Sequence, residues 1–557
     1  MQSQKLVRML KRLLIGFVAL VLIGCANRGV GPQGGPKDSI PPEALRSVPD
    51  NGTVNFTGRR IEIVFNEYIQ LNNVAQHLLM SPPQQRPPEV KARGKHLLIQ
   101  FVDSLRDNTT YTLDFGEAVC DYTERNPHRG YTFSFSTGPT IDTLEATGYI
   151  IDAATLKPLK DIIVGVHDNK ADSAFSSLPF LRIARSDSLG FFRISNMKEG
   201  SYRLYAVEDV SRDYRLSPGE SLAFADVEIR SGDTTTLYLF KEKQQRLYLQ
   251  RTLREQQHTV CLLFSSAPDS LPQIKPLQDS VAMHTHFSEK GDTVTLWLLD
   301  SATISRDSLF FEVRYRRTDS LFHPEWCTDT VRAVWRAPRL SAKAREALER
   351  KNRNRRLELK TNARRGFEIY DTLRLTSSTP LAYIDTAGLH IMEKIDTVYK
   401  PVPFRLAPHD TLPMILQFIA PLAAGKQYEL RLDSAALRDV YGITHIAGSY
   451  PLEVKKHEEY STIRVRVVPF DEHVRIQVLD KAEKVLREQS AEPEGTLFKH
   501  LKPDTYKLRL YIDTDRDGQW TTGSWDARRQ PEKVYNYPGV IQTKSNWDFE
   551  EEWNYAQ

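Results

Sequence analysis

Cysteine is scarce, net charge is small once one segment is set apart, and long apolar runs are missing. Four cysteines in 557 residues cannot form a disulfide framework. Cys25 has a separate role argued below, so Cys120, Cys261 and Cys327 allow one pair at most, and their spacing matches no metal-site pattern. Cys120, in Ala118-Val119-Cys120, reads as a small buried hydrophobe. The apolar stretch Leu13 to Ile23 is 11 residues long, too short to span about 30 Å of hydrocarbon as a helix, and a polytopic membrane protein is excluded. Residues 1–24 contain Lys5, Arg8, Lys11 and Arg12 and no acid, which leaves 71 basic against 71 acidic residues in the remainder. A global attraction to nucleic acid therefore has no support. Enzyme signatures are missing too: no Gly-x-Ser-x-Gly, no His-Glu-x-x-His, no P-loop and no dinucleotide glycine fingerprint. His457-Glu458-Glu459 lacks the second histidine of a zinc protease. The chain reads as non-catalytic, with a hydrolase built on an unrecognised carboxylate pair as the enzyme alternative.

What is present begins with an address. A basic start, a short apolar run and a small residue before a cut describe a secretory signal over residues 1–24. The run ends Leu22-Ile23-Gly24-Cys25, which resembles a bacterial lipobox. The resemblance implies cleavage before Cys25 and lipid on its thiol, and several acyl chains on one residue hold a protein durably to a membrane. By the same resemblance Ala26-Asn27, with no Asp after the cysteine, directs the chain to the outer membrane of a Gram-negative envelope. Residues 25–41, with Gly29, Gly31, Pro32, Gly34, Gly35, Pro36 and Pro41, read as a flexible tether.

Beyond the tether the pattern has period two. Ile61, Ile63 and Phe65 alternate with polar residues, as do Tyr111, Leu113 and Phe115, and Tyr131, Phe133 and Phe135; such alternation puts one strand face in a core. Pro49-Asp50-Asn51-Gly52 and Asp107-Asn108 are turn signals between strands. The predicted fold class is all-β: tandem antiparallel β-sandwich modules with one short basic helical linker.

Two families resemble parts of this chain. Residues 42–138, with Pro41-Pro42, Pro49-Asp50-Asn51-Gly52, Ile61 to Glu67, Tyr111 to Phe115 and Phe133 to Gly138, resemble the bacterial Ig-like domain of the SbsA type. This implies a sandwich used as spacer or binding module. Residues 139–243, with Gly148-Tyr149-Ile150-Ile151, Gly190 to Ile194 and Tyr202 to Ala206, resemble the transthyretin-like module of carboxypeptidase regulatory domains.

Internal comparison repeats both types. Leu105, Tyr111 and Asp121 correspond to Leu422, Tyr428 and Asp439. Tyr202, Leu204, Asp209, Arg212 and Asp213 correspond to Tyr506, Leu508, Asp513, Arg516 and Asp517 at identical spacing. The expected order is an Ig-like module, a transthyretin-like module, a β-rich unit of unassigned type (244–338), a basic helical linker (339–360), a second Ig-like module (361–457) and a second transthyretin-like module (458–557). In the linker, residues 341–360 carry eight basic and three acidic residues. They read as a solvated helix with Glu346–Arg350 and Glu349–Arg353 pairs, the alternative being a patch for anionic lipid or an acidic polymer.

Candidate sites are few. Asp513, Asp515 and Asp517, followed by Gly518, alternate as carboxylates can around Ca²⁺. The twelfth position of an EF-hand loop would fall on Ser524, and the first copy keeps only two of the three acids. Aspartates capping turn amides are therefore the preferred reading, with structural Ca²⁺ as the alternative and no other cofactor expected. His284-Thr285-His286 reads as an exposed strand face; Zn²⁺ or Cu²⁺ would need a third ligand that the sequence does not supply. Trp520, Trp525, Trp547 and Trp553 crowd the C-terminus, either as the core and closing edge of the last sandwich or as a stacking site for envelope glycan. The function expected is a lipid-anchored scaffold or adhesion stalk, elongated and end to end, with a protein partner in the envelope and the membrane reached through Cys25. Glycan capture is the second reading.

Overall fold

The computed structural model describes residues 38–242, 247–319, 324–337, 341–408 and 412–556. The signal segment, Cys25 and the tether up to residue 37 lie outside the described residues, as do the side chains of Lys351 and Arg353 and hence the Glu349–Arg353 pair.

In the first module two sheets face each other. One runs Ala44–Val48, Arg60–Phe65, His96–Gln100, Glu89–Arg93; the other runs Leu79–Ser81, Thr110–Asp114, Thr132–Ser136. The period-two residues meet between them: Ile61, Ile63, Phe65, Leu113, Phe133 and Phe135 are fully buried. Aromatic rings fill the layer, Tyr111 stacking on Phe135 at 5.4 Å.

The later module at residues 357–454 shares its local devices. The Tyr111 hydroxyl accepts from the amide of Arg106 (2.7 Å), five residues earlier. The Tyr428 hydroxyl does the same with Ala423 at 2.8 Å. Asp121 and Asp439, both 2% exposed, turn inward to take following amides, Asp121 those of Glu124, Arg125 and Asn126, Asp439 those of Tyr441 and Ile443. Burying a carboxylate this way satisfies it with fixed donors.

The two units matched by the second repeat have the same topology, strand for strand. Residues 144–239 form one sheet in the order Phe191–Met197, Leu144–Asp152, Thr234–Leu239 and another in the order Arg182–Arg185, Ile163–His167, Ser201–Val207, Leu222–Phe224. Residues 461–554 form Thr496–Leu501, Ser461–Val468, Asp548–Asn554 against Val485–Ser490, Val474–Leu479, Thr505–Ile512, Val534–Asn536. Each unit has one parallel pairing, between its first and last strands. In each the repeated tyrosine hydroxyl donates to a carbonyl four residues earlier, Tyr202 to Lys198 and Tyr506 to Lys502.

The middle unit is also a two-sheet sandwich, Leu249–Leu253, Thr259–Phe264, Thr293–Leu298, Met283–Phe287 over Gln273–Pro276, Ser308–Thr318, Pro324–Val334. The linker contains one 12-residue helix, Ala342–Arg353, whose first turn is capped by Ser341 accepting from the Ala344 amide. Glu346 and Arg350 form no ion pair among the described residues.

Side chains pin the modules together. Arg182, 5% exposed, reaches from the second module to the carbonyls of Thr110 and Ser81 in the first, and to Asp142 at 3.4 Å. Asn196 accepts from Thr112 (2.7 Å) and donates to the Asp142 carbonyl (2.6 Å). The third and fourth modules meet where the Tyr441 hydroxyl lies 3.0 Å from the Leu298 carbonyl and its ring stands edge-on to His258. One donor hydrogen in a half-buried junction contributes about 1 kcal/mol. Tyr441→Phe is expected to loosen this contact by that amount, read as faster hydrogen exchange around residues 258–300 and 437–445; unchanged exchange would show that the hydroxyl contributes nothing. The fourth and fifth modules meet around buried Glu368, which takes hydrogen bonds from Tyr460 (2.6 Å), Lys455 (3.0 Å) and Lys502 (2.8 Å).

The end-to-end stalk is corrected by one further junction. The fifth module docks on the second, across 281 to 306 residues of chain. With the covalent chain joining modules two and three through residues outside the described set, modules two to five form a closed circuit, and the first module is attached to it at module two.

Candidate functional site

The junction that closes the circuit is built by the loop between strands Thr505–Ile512 and Val534–Asn536. The loop opens on Asp513, held by its amide to the His473 carbonyl at 2.8 Å, then turns through Arg516 (φ 60°) and Gly518 (φ 75°). Left-handed geometry at 518 favours the glycine that the sequence places there.

Asp513 is 6% exposed. Its Oδ2 accepts from the Gly518 amide at 3.0 Å, while its Oδ1 is buried without a hydrogen-bond partner. Glu532 closes the loop from the far side. Its Oε1 takes the Thr514 amide and hydroxyl, at 2.6 and 3.0 Å, and its Oε2 takes the Thr521 amide at 2.9 Å. Asp513, Asp515 and Glu532 each bring a carboxylate oxygen to within 4.8 Å of the others.

Asp517 is not part of this group. It is exposed and caps the turn, accepting from the Gln519 amide at 2.7 Å. The sequence pattern thus selects two of the three clustered acids and misses Glu532, which lies far along the chain. The first of the two repeated units contains a signal for it: Glu220 takes the amides of Val210 and Ser211 through one oxygen and that of Ser217 through the other. Glu220 follows Asp209 by 11 residues, whereas Glu532 follows Asp513 by 19. The extra eight residues in the second copy carry the docking tryptophan.

Trp525 enters the second module and meets Phe175, Phe224 and Tyr205 edge to face at 5.0, 5.3 and 5.6 Å. Arg528 covers its outer face, 3.0 Å from the ring centre. Backbone and polar contacts fix the approach. The Trp525 amide donates to Glu242 (2.6 Å), the Thr522 hydroxyl to the Lys241 carbonyl (2.9 Å), and Gln530 to the Phe224 carbonyl and Asp226 (2.9 and 2.7 Å). A Cβ at Gly523 would stand 2.5 Å from the Phe240 ring, so only glycine permits this approach. Lys157 of module two pairs with Glu483 of module five at 2.6 Å. That contact and the neighbouring Lys507 hold the glutamate down to about 2. Burial pushes the Tyr205 hydroxyl up. A cleft of about 520 Å³, lined by Phe224, Asp226, Tyr238, Glu532 and Tyr535, runs along the junction.

The four C-terminal tryptophans do not share a face. Trp553 is in the last core, edge-on to Tyr537. Trp525 is the anchor in module two. Trp520 donates its indole hydrogen to the Glu532 carbonyl at 3.0 Å. Trp547 alone of the four is well exposed, stacked beside Phe549 with Lys544 above it. A glycan platform made of all four is therefore corrected: packing and docking consume three of the rings. His284 and His286 lie half-buried on Met283–Phe287, and among the described residues no group of three metal-ligating side chains includes them. Cys120 is buried, Cys261 and Cys327 are half-buried, and all three are free thiols.

Residues 38–137 match the bacterial Ig-like domain family, so the first module belongs to a class of β-sandwich found in bacterial proteins. No curated protein matches the chain. Among solved structures, the N-terminal part of the bacterial S-layer protein SbsC is 10% identical with a TM-score of 0.17, over 31% of this chain and 44% of that one. The chain thus spans less than half of that protein's length. The Bacillus anthracis TIE protein is 9% identical (TM-score 0.13, 94% of this chain and 76% of that one), and the Bacillus cereus major pilin subunit BcpA is 9% identical (TM-score 0.14, 74% and 98%). Superpositions this loose carry nothing to the function of this chain. Among the described residues no helix is long and apolar enough to cross a membrane.

Proposed function

We propose that this protein is a non-catalytic, lipid-anchored scaffold of a Gram-negative outer membrane. Its second to fifth modules form one body, and that body holds the Ig-like module at a fixed orientation for a protein partner. The observation that carries this reading is the insertion of Trp525 among Phe175, Tyr205 and Phe224. A string of sandwiches with free junctions samples many arrangements. A chain whose last module grips its second holds its contact surfaces in register and spares a partner the entropy of ordering them. The lipobox-like Leu22-Ile23-Gly24-Cys25 supports the anchor, and the tether after it supports reach away from the bilayer.

Cys25→Ala is expected to move the protein from the detergent phase to the aqueous phase on Triton X-114 partition and to stop incorporation of labelled palmitate. Unchanged partition would remove the anchor. Pull-down of the wild-type protein in mild detergent is expected to recover an envelope protein that a variant lacking residues 42–138 does not.

A further inference from the structure

The two repeated units contain an internal control for the acidic loop. In the first, Asp209 uses both oxygens: Oδ2 accepts from the Tyr214 amide (3.1 Å), and Oδ1 accepts from the Asp213 amide (3.1 Å) and the Ser211 hydroxyl (3.2 Å). In the second, the contact five residues on is kept, Gly518 amide to Asp513 Oδ2. The two donors to the other oxygen are lost. The Asp517 amide turns instead to Asp515 at 3.3 Å, and the position of Ser211 is taken by Asp515 itself. A hydroxyl that donated has been exchanged for a carboxylate that can only accept.

The result is a buried, unpartnered Oδ1 on Asp513, a residue whose carboxylate stands within 4.8 Å of those of Asp515 and Glu532. Burying an anion among anions is costly unless a cation joins them. Among the described residues the nearest protein cation, Arg529, is 3.9 Å from Asp515 in a partly exposed pair, a weak contact by its geometry and solvation. We propose that Asp513, Asp515 and Glu532 bind Ca²⁺, and that the ion braces the loop that carries Trp525 into module two. Ca²⁺–oxygen distances of about 2.3–2.6 Å put ligand oxygens up to about 5 Å apart across the ion, the span these three oxygens occupy. All donors are hard oxygens, and the irregular loop geometry suits a cation tolerant of variable coordination better than Mg²⁺. The inference rests on this loop alone and stands apart from the scaffold reading.

Calorimetry and hydrogen exchange on the full chain, stripped with chelator and titrated with CaCl₂, test it. Ca²⁺ is expected to bind with a constant of 1 mM or tighter, the weak end of extracellular Ca²⁺ modules at about 1 mM. It is also expected to slow exchange across residues 513–532. Asp515→Ser, which installs the residue of the first copy, should weaken binding at least about tenfold by removing a charged ligand while leaving the loop folded on its new hydroxyl. Asp517→Asn should bind as the wild type does. Absence of heat and protection up to about 10 mM Ca²⁺, ten times the weakest such constants, overturns the site. So does a loss in Asp517→Asn equal to that in Asp515→Ser, and equal binding of Mg²⁺ overturns the assignment to Ca²⁺.

Discussion

Trp525→Ala is expected to open the circuit. Truncating a tryptophan that is 9% exposed and packed against three aromatic rings costs about 3 kcal/mol or more. That is a shift of about a hundredfold or more between docked and undocked forms. Other contacts at this junction, among them Thr522 to Lys241, Gln530 to Phe224 and Asp226, and Lys157 to Glu483, are polar and partly exposed, and they contribute less each. Small-angle scattering should report a larger radius of gyration with far-ultraviolet circular dichroism unchanged, because each sandwich has its own core. Hydrogen exchange should rise at residues 222–226 and 520–532 and not in the first module. Trp547→Ala, at an exposed ring, should change none of these. If the scattering profile of Trp525→Ala matches that of the wild type, the indole does not hold the circuit closed.

The second large effect is at Glu368, 4% exposed between the fourth and fifth modules. Burial pushes its pKa up, but hydrogen bonds from Lys502, Tyr460 and Lys455 outweigh burial and hold it down to about 2. Removing Glu368 takes the buried acceptor from the Tyr460 hydroxyl and releases two lysines that already reach solvent, at about 1–3 kcal/mol. Glu368→Ala is expected to destabilise this junction by that amount, read in urea as earlier loss of protection at residues 365–369 and 455–461. The pH dependence has a definite sign. A carboxylate with a lowered folded pKa stabilises fully above its unfolded value of about 4.5, and the contribution fades as pH falls from there toward about 2. The wild type should therefore lose junction stability across that interval, and Glu368→Ala should show a shallower decline. A parallel decline in both proteins would show that other carboxylates carry the acid response.

Much of the architecture is legible along the chain because it is written in local rules. Alternation at Ile61, Ile63 and Phe65 is a statement about strand geometry, and those side chains are fully buried. The five-residue match between Tyr202 to Asp213 and Tyr506 to Asp517 reflects a strand, a hydroxyl-to-carbonyl bond and a turn that recur together. The site was half legible. Asp513 and Asp515 sit on one short loop, where spacing is informative, whereas Glu532 reaches them only because the strand after the loop pairs with Thr505–Ile512. Nothing in the spacing of tryptophans separates Trp553 in a core from Trp525 in a neighbouring module or Trp547 in water, since the three side chains are chemically identical and only their surroundings differ.

By itself the sequence determined the all-β class, the repeated units and the turns, because each follows from periodicity and backbone preference within a few tens of residues. Only the tertiary structure decided that the fifth module returns to the second, that Glu532 and not Asp517 joins Asp513 and Asp515, and that the chain is a circuit and not a row. Those outcomes depend on which surfaces meet across hundreds of residues, and contact between distant surfaces is set by shape and burial in space, which leave no period in the chain.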